Sequence, residues 1–142
     1  MDFFTAMEVS ASALDVERVR MNIASANLAN ARTTRTAEGG PYQRQNVLVE
    51  SATPPGSPEG SAESPTAFEV KVQSVESDPR PPRLEYDPSH PDADANGYVA
   101  YPNVSPVEEI VDMITASRAY EAGVTAIKTA STMAEGALSI GK

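Results

Sequence analysis

Residues 105–141 read SPVEEIVDMITASRAYEAGVTAIKTASTMAEGALSIG, and they decide the fold because they spell one long helix with both ends marked. Ser105, Pro106 and Glu108 form the start: a hydroxyl cap, a proline where the first helical N–H is not needed, and a carboxylate three residues after the cap. Gly141 is the stop. Inside, Ile110, Met113, Ser117, Tyr120, Val124, Ile127, Ser131, Ala134 and Leu138 step by threes and fours, the spacing that holds one seam toward one partner. Ser117, Ser131 and Ala134 dilute that seam, since small residues admit close approach but bury little apolar surface. Such a helix needs a partner.

The opening of the chain supplies a candidate. Over residues 2–30, Phe4, Met7, Ala11, Leu14, Arg18, Met21, Ser25 and Leu28 repeat the stepping, again with small or polar interruptions. At about 1.5 Å per residue each helix is roughly 45 to 50 Å long. Two arrangements fit: a parallel or antiparallel hairpin complete within one chain, or helices packed against copies and relatives in an assembly. Periodicity says that a face is buried, not against what.

Between the helices the pattern changes period. Asn30 is placed to end the first helix as a left-handed cap, and Gly39-Gly40-Pro41 breaks the chain. Residues 42–50, centred on Val47-Leu48-Val49, read as a strand. Residues 51–66 hold Pro54, Pro55, Gly56, Pro58, Gly60 and Pro65 among Ser, Ala and Glu, which predicts a loop or linker. Phe68, Val70 and Val72 alternate with polar residues, and Leu84 and Tyr86 repeat the alternation beyond a proline-rich break, predicting a hairpin or small meander. Tyr98 to Tyr101 reads as a last short strand. The fold class expected is α+β: long N- and C-terminal helices in a coiled-coil-like pair, with a small antiparallel β module between them. The divisions fall at 1–38, 39–104 and 105–142.

Length and charge narrow the function. A chain of 142 residues predicts one domain, or one small domain carrying extended arms. Twenty acids against eleven bases give a net charge of −9, without the basic face that nucleic acid requires. Arg18, Arg20, Arg32 and Arg35 gather early, but Asp15 and Glu17 precede two of them on the same helix face. No cysteine is present, the opening residues lack the pattern of a secretory signal, and no window approaches the roughly 20 apolar residues of a membrane span.

Candidate chemistry is thin. Asp92, Asp94, Asn96 and Gly97 match the first half of a calcium-binding loop, yet its twelfth position is Asn103 rather than glutamate, so Asx turns are the expectation. His90-Pro91-Asp92 copies a co-chaperone tripeptide but lies among prolines and short strands rather than between helices. His90 is also the sole histidine, which leaves a catalytic triad one poorly placed base. Glu108 and Glu109 are not a working carboxylate pair, because helix neighbours point about 100° apart. No enzyme, metal site or cofactor is expected, and the class opposed to an assembly subunit is a soluble helical adaptor or calcium-modulated binding module.

Three separated stretches then resemble a family. The run SANLANA at 25–31, the sequence GGPY at 39–42, and HPDADANGYVAYPNV at 90–104 followed by residues 107–120 resemble the axial proteins of the bacterial flagellum. Among those the resemblance is to the rod proteins, and most to the C-type proximal rod proteins. The motif positions are Asn27, Leu28, Asn30, Gly97, Tyr98, Pro102 and Asn103. Gly123 departs from the family pattern, where a larger residue is usual. The resemblance implies terminal helices packed in the inner layer of a hollow helical shaft that transmits torque and conducts exported subunits. It implies as partners the chain itself, other rod proteins and the flagellar type III export apparatus. It places the protein in the basal-body rod across the periplasm, exported without a cleaved signal peptide, with no nucleic acid and no membrane insertion. The expected assembly interface is the pair of seams: Phe4, Met7, Leu14, Met21 and Leu28 on the first helix; Ile110, Met113, Tyr120, Val124, Ile127 and Leu138 on the second.

Overall fold

A computed structural model describes residues 3–52 and 68–140. Its elements are α1 (Phe3–Ala29), β1 (Gln45–Ala52), β2 (Glu69–Ser77), β3 (Arg83–Tyr86), β4 (Tyr98–Tyr101) and α2 (Pro106–Ile140). The class is α+β, two long helices with antiparallel β structure between them. The 27 residues of α1 span about 40 Å and the 35 of α2 about 52 Å.

The helices pack on one another, and two contacts fix their direction. Asn27, near the end of α1, meets Glu109 at the start of α2, while Leu14 lies against Gly123. They therefore run antiparallel. Continued, this register ends α1 near Ala134, and residues 135–140 are all exposed. Four threonines would weaken so long a helix by their β-branching, but Thr115, Thr125, Thr129 and Thr132 each donate to the carbonyl four residues back and leave no hydroxyl idle.

The β residues form two separate two-stranded sheets, β1–β2 and β3–β4. The hairpin expected between the 68–72 and 84–86 segments does not form: β2 returns on β1, and β3 pairs with β4. Alternation shows which face of a strand is wet without naming its neighbour. The partners follow cross-strand matching, Val47 opposite Val75 and Val49 opposite Val72 in one sheet, Tyr86 opposite Tyr98 in the other. An irregularity between Leu48 and Val49 shifts the first register.

Strand β1 starts three residues later than its pattern suggested, because Tyr42 is drawn toward α1: its N–H donates to Thr33 O at 3.0 Å and its hydroxyl to Asn27 Oδ1 at 2.9 Å. At its other end β1 takes in Ser51 and Ala52, expected in the loop; the rest of that loop lies outside the described residues. Asn30 is not left-handed, since no described non-glycine residue has positive φ. It closes α1 by another route, its Nδ2 donating to Ala26 O at 2.9 Å and its Oδ1 accepting from Thr33 Oγ1 at 3.1 Å.

The apolar interior is small. Val16, Ala24, Val99, Val104 and Ala116 are buried, but the largest wholly enclosed side chains are Glu109, Val99, Asn27 and Pro102, two of them polar. The centre of this fold is therefore organised by hydrogen bonds as much as by oil.

Candidate assembly surface and the polar node beneath it

The node is built by three segments distant in sequence. Asn27 reaches from the last turn of α1 to the first residue of β1, where its Oδ1 accepts from Gln45 N at 2.9 Å and its Nδ2 donates to Gln45 O at 2.9 Å. The side-chain amide thus pairs with the strand as another strand's peptide group would. The same Nδ2 also donates to Glu109 Oε2 at 3.0 Å, and Glu109 Oε1 accepts from Arg44 Nε. Arg44 further donates to Asn46 Oδ1 and to Asp112 Oδ2. The Glu109 side chain is 1% exposed and Arg44 15%, so this ion pair is largely withdrawn from water. A buried pair gains little over a well-packed apolar pair, but removing one partner strands the other, which makes the node a strong constraint on register. Burial and the nearby Glu109 carboxylate both raise the Tyr42 hydroxyl above its ordinary pKa of 10.0.

A second asparagine grips β1's approach from the opposite side. Asn103 Oδ1 accepts from Arg44 N at 3.0 Å, and its Nδ2 donates to Arg80 O at 3.3 Å. Asp78 N donates to Arg44 O at 2.7 Å, and the Asp78 carboxylate is clasped by Arg80. The side-chain and backbone hydrogen bonds from Arg80 hold Asp78 well below the usual carboxylate range. Asn27 and Asn103, separated by most of the chain, therefore hold adjoining residues of one segment.

The loop before β4 is stabilised from within. Asp94 Oδ1 accepts from Asn96 N at 2.8 Å and from Tyr98 N at 2.9 Å, while Asp94 N donates to Tyr98 O. Asp92 Oδ2 accepts from the Thr34 hydroxyl at 2.8 Å, and Oδ1 faces Arg35. Nδ1 of His90 accepts from Asp92 N. The Asp92 and Asp94 oxygens that matched a calcium loop thus accept from the chain's own donors, and among the described residues no group of three or more His, Cys, Asp or Glu is placed to hold a metal ion. Gly97 closes the turn with φ of +83°, its Cα pressed under the Tyr86 ring.

The other motif positions are structural as well. Pro102 is enclosed, Leu28 and Asn30 are half-buried, and Tyr98 stacks edge-on against Tyr86.

The seam residues divide. Met113, Tyr120, Val124 and Ile127 on α2 and Met7, Leu14, Met21 and Leu28 on α1 are half-buried. Phe4 and Leu138 are 79% and 76% exposed, at the end where α2 outruns α1. Ile110 is also exposed, and the covered stripe of α2 begins instead at Glu109, continuing through Met113, Ala116 and Tyr120. Ile110 belongs to another face, where Val107, Val111 and Ile114 are exposed with it. On α1, Ala11, Arg18 and Ser25 are exposed, whereas Val16, Ala24 and Asn27 are buried. The reason is that α1 has two neighbours: α2, and the β1–β2 sheet, where Val70 N donates to Ser12 Oγ at 3.2 Å. A single heptad line cannot describe a helix covered on two sides.

Sequence reasoning did not single out Arg44 or Gln45, read Tyr42 only as the start of a strand and part of a family motif, and discounted Glu109 as one of two adjacent acids at the helix start. One signal was available: Glu109 lies in phase with Met113, Ala116 and Tyr120, and a charge in phase with a seam marks a buried partner.

An antiparallel helix pair tied through Asn27 to a small β region, with apolar residues left bare at both ends, is the form of an assembly subunit. The chain belongs to the flagellar basal-body rod proteins: residues 7–35 match the family described as "Flagella basal body rod protein" and residues 95–140 that described as "Flagellar basal body rod FlgEFG protein C-terminal". Within that class, relatives of the chain include proteins named flagellar basal-body rod protein FlgC. The FlgC of Bacillus subtilis is 42% identical, with all of both chains covered. That of Borreliella burgdorferi is 40% identical over 99% of this chain and 98% of its own. That of Salmonella typhimurium is 36% identical over the whole of both.

Proposed function

We propose that this chain is a non-enzymatic structural subunit of the proximal rod of the flagellar basal body. It polymerises through its terminal helices into the hollow shaft that carries torque and passes exported subunits. Other rod proteins are its neighbours, and it reaches the rod through the flagellar export apparatus. The observation that supports this reading is the bare apolar surface of the helices. Val107, Ile110, Val111 and Ile114 on one face of α2, and Met133, Leu138 and Ile140 toward its end, are all exposed in the single chain. Each such side chain contributes roughly 1.5 to 3 kcal/mol when a neighbour fully buries it. No described helix is long and apolar enough to cross a membrane.

Deletion of the gene followed by complementation tests it. Swimming and basal-body assembly should vanish on deletion, return with the parent chain, and fail to return with Ile110→Asp combined with Ile114→Asp. Persistence of both in the deletion strain sinks the proposal.

A further inference from the structure

The orientation of β1 leaves one strand edge unfilled beside a groove. Arg44 O and Asn46 face β2, the former accepting from Asp78 N; Gln45 faces the other way, where both its backbone groups are taken by Asn27. In an antiparallel ladder such orientations alternate, so the N–H and C=O of Val47 point to the Asn27 side. Among the described residues β1 pairs with β2 alone. A cavity of about 400 Å³ lies along this edge, lined by Arg20, Ile23 and Ala24 of α1, by Val47 and Leu48 of β1, by Asp112 of α2 and by the residues of the node. The Asn27 amide has in effect begun a third strand that no described residue continues.

The same chain carries a strand suited to continue it. All four residues of β3 are exposed, and β3 pairs only with β4 among the described residues, which leaves its second edge open. Leu84 and Tyr86, 64% and 67% exposed, share one face, and Arg83 and Glu85 share the other. Laid in the groove, the first face meets Ile23 and Ala24, and the second presents one cation and one anion to a lining that holds Asp112 and Arg20. A chain's own β3 is held on the far side of β1, where Arg80 is tied to both Asp78 and Asn103.

We propose that the open edge of β1 accepts the β3 strand of a second copy of this chain, extending the β1–β2 sheet across the subunit boundary. The inference rests on the assembly reading and adds to it a contact that the terminal helices do not make. Two different surfaces meet in this contact, so where the rotation from copy to copy does not close, it propagates as an open, screw-related series. Main-chain hydrogen bonds supply the joining and the alternate side chains its register, as in other strand additions.

The chain lacks cysteine, so a cysteine introduced at each partner position reports this contact alone. Val47→Cys combined with Leu84→Cys, and Val47→Cys combined with Glu85→Cys, are expressed in cells relying on this chain for their rods, and isolated basal bodies are oxidised. Disulfide-linked multimers of the chain in at least one pair, absent from each single variant, are expected. Swimming cells whose basal bodies yield only monomer, or a link to a different protein, overturn the strand pairing while leaving the subunit role intact. Hydrogen exchange of the unaltered chain gives an independent readout. The peptide containing Val47 should exchange at least tenfold more slowly in basal bodies than in the free chain, and equal rates overturn the proposal even where the cysteine variants fail to assemble.

Discussion

Leu14 of α1 lies directly under Gly123 of α2, so close that a Cβ on the glycine would stand 2.7 Å from Leu14 Cδ2. Glycine in the middle of a helix costs about 1 kcal/mol relative to alanine, and here the missing methyl is what lets the helices approach. Gly123→Ala therefore sets a propensity gain against a displaced leucine. The two are separable by a double-mutant cycle: in a Leu14→Ala background, Gly123→Ala should become more favourable by at least about 1 kcal/mol than in the parent. Urea unfolding of the four proteins reads this coupling. Additivity within about 0.3 kcal/mol would show that the helices re-space freely.

Glu108 and Glu109 are neighbours in sequence and opposites in environment. Glu108 is exposed in the first turn of α2, whereas Glu109 is enclosed between Asn27 and Arg44. Glu109→Ala leaves a largely buried guanidinium and an amide short of an acceptor and should cost about 3 to 5 kcal/mol. Glu108→Ala removes an exposed carboxylate from the first turn of α2, where it favours the helix's positive end, and should cost no more than about 1 kcal/mol. Equal midpoints in urea for the two variants would remove the node from the account of stability.

The contrast also shows what was legible in the sequence. Helix ends marked by Ser105-Pro106 and by the run near Asn30 were readable because caps are local chemistry, and the 3.6-residue and two-residue periods separated helix from strand. Strand partners were not readable: Leu84 and Tyr86 alternate like Val70 and Val72, yet one pair joins β4 and the other β1. The node was hidden for a related reason. Arg44 and Glu109 are ordinary charged residues until the fold brings them together, and helix capping accounted for Glu108 while Glu109 pointed about 100° away from it with no role assigned. Asn27 and Asn103 stood out only through family resemblance, and their shared task, holding Arg44 and Gln45 from two sides, appears only in three dimensions.

Acid should find the Asp78 clasp. Hydrogen bonds from Arg80 lower the folded carboxyl's pKa below its unfolded value, so folding favours the ionised form. The stabilisation is complete above the ordinary carboxylate pKa of about 4 and is lost as pH falls below it. Asp78→Asn should therefore be less stable than the parent at pH 7 and converge with it toward pH 2. Urea midpoints across that range, parallel at every pH, would show that Asp78 plays no part in acid sensitivity.

The turn into β4 makes a final demand that two glycines separate cleanly. Gly97 has φ of +83° and would place a Cβ 2.9 Å from Tyr86 Cε2 and 3.2 Å from Pro88 Cβ; Gly39 has φ of +90° with open space around it. Both positions charge an L-residue roughly 1 to 2 kcal/mol for the left-handed backbone. Only at Gly97 must a neighbour also move, and that neighbour is the ring stacked edge-on against Tyr98 at 5.4 Å. Gly97→Ala should thus cost more than Gly39→Ala and, alone of the two, alter the near-ultraviolet circular dichroism of the tyrosines. If the variants match in both stability and spectrum, the Tyr86 contact is not what requires glycine there, and the backbone angle alone explains the residue.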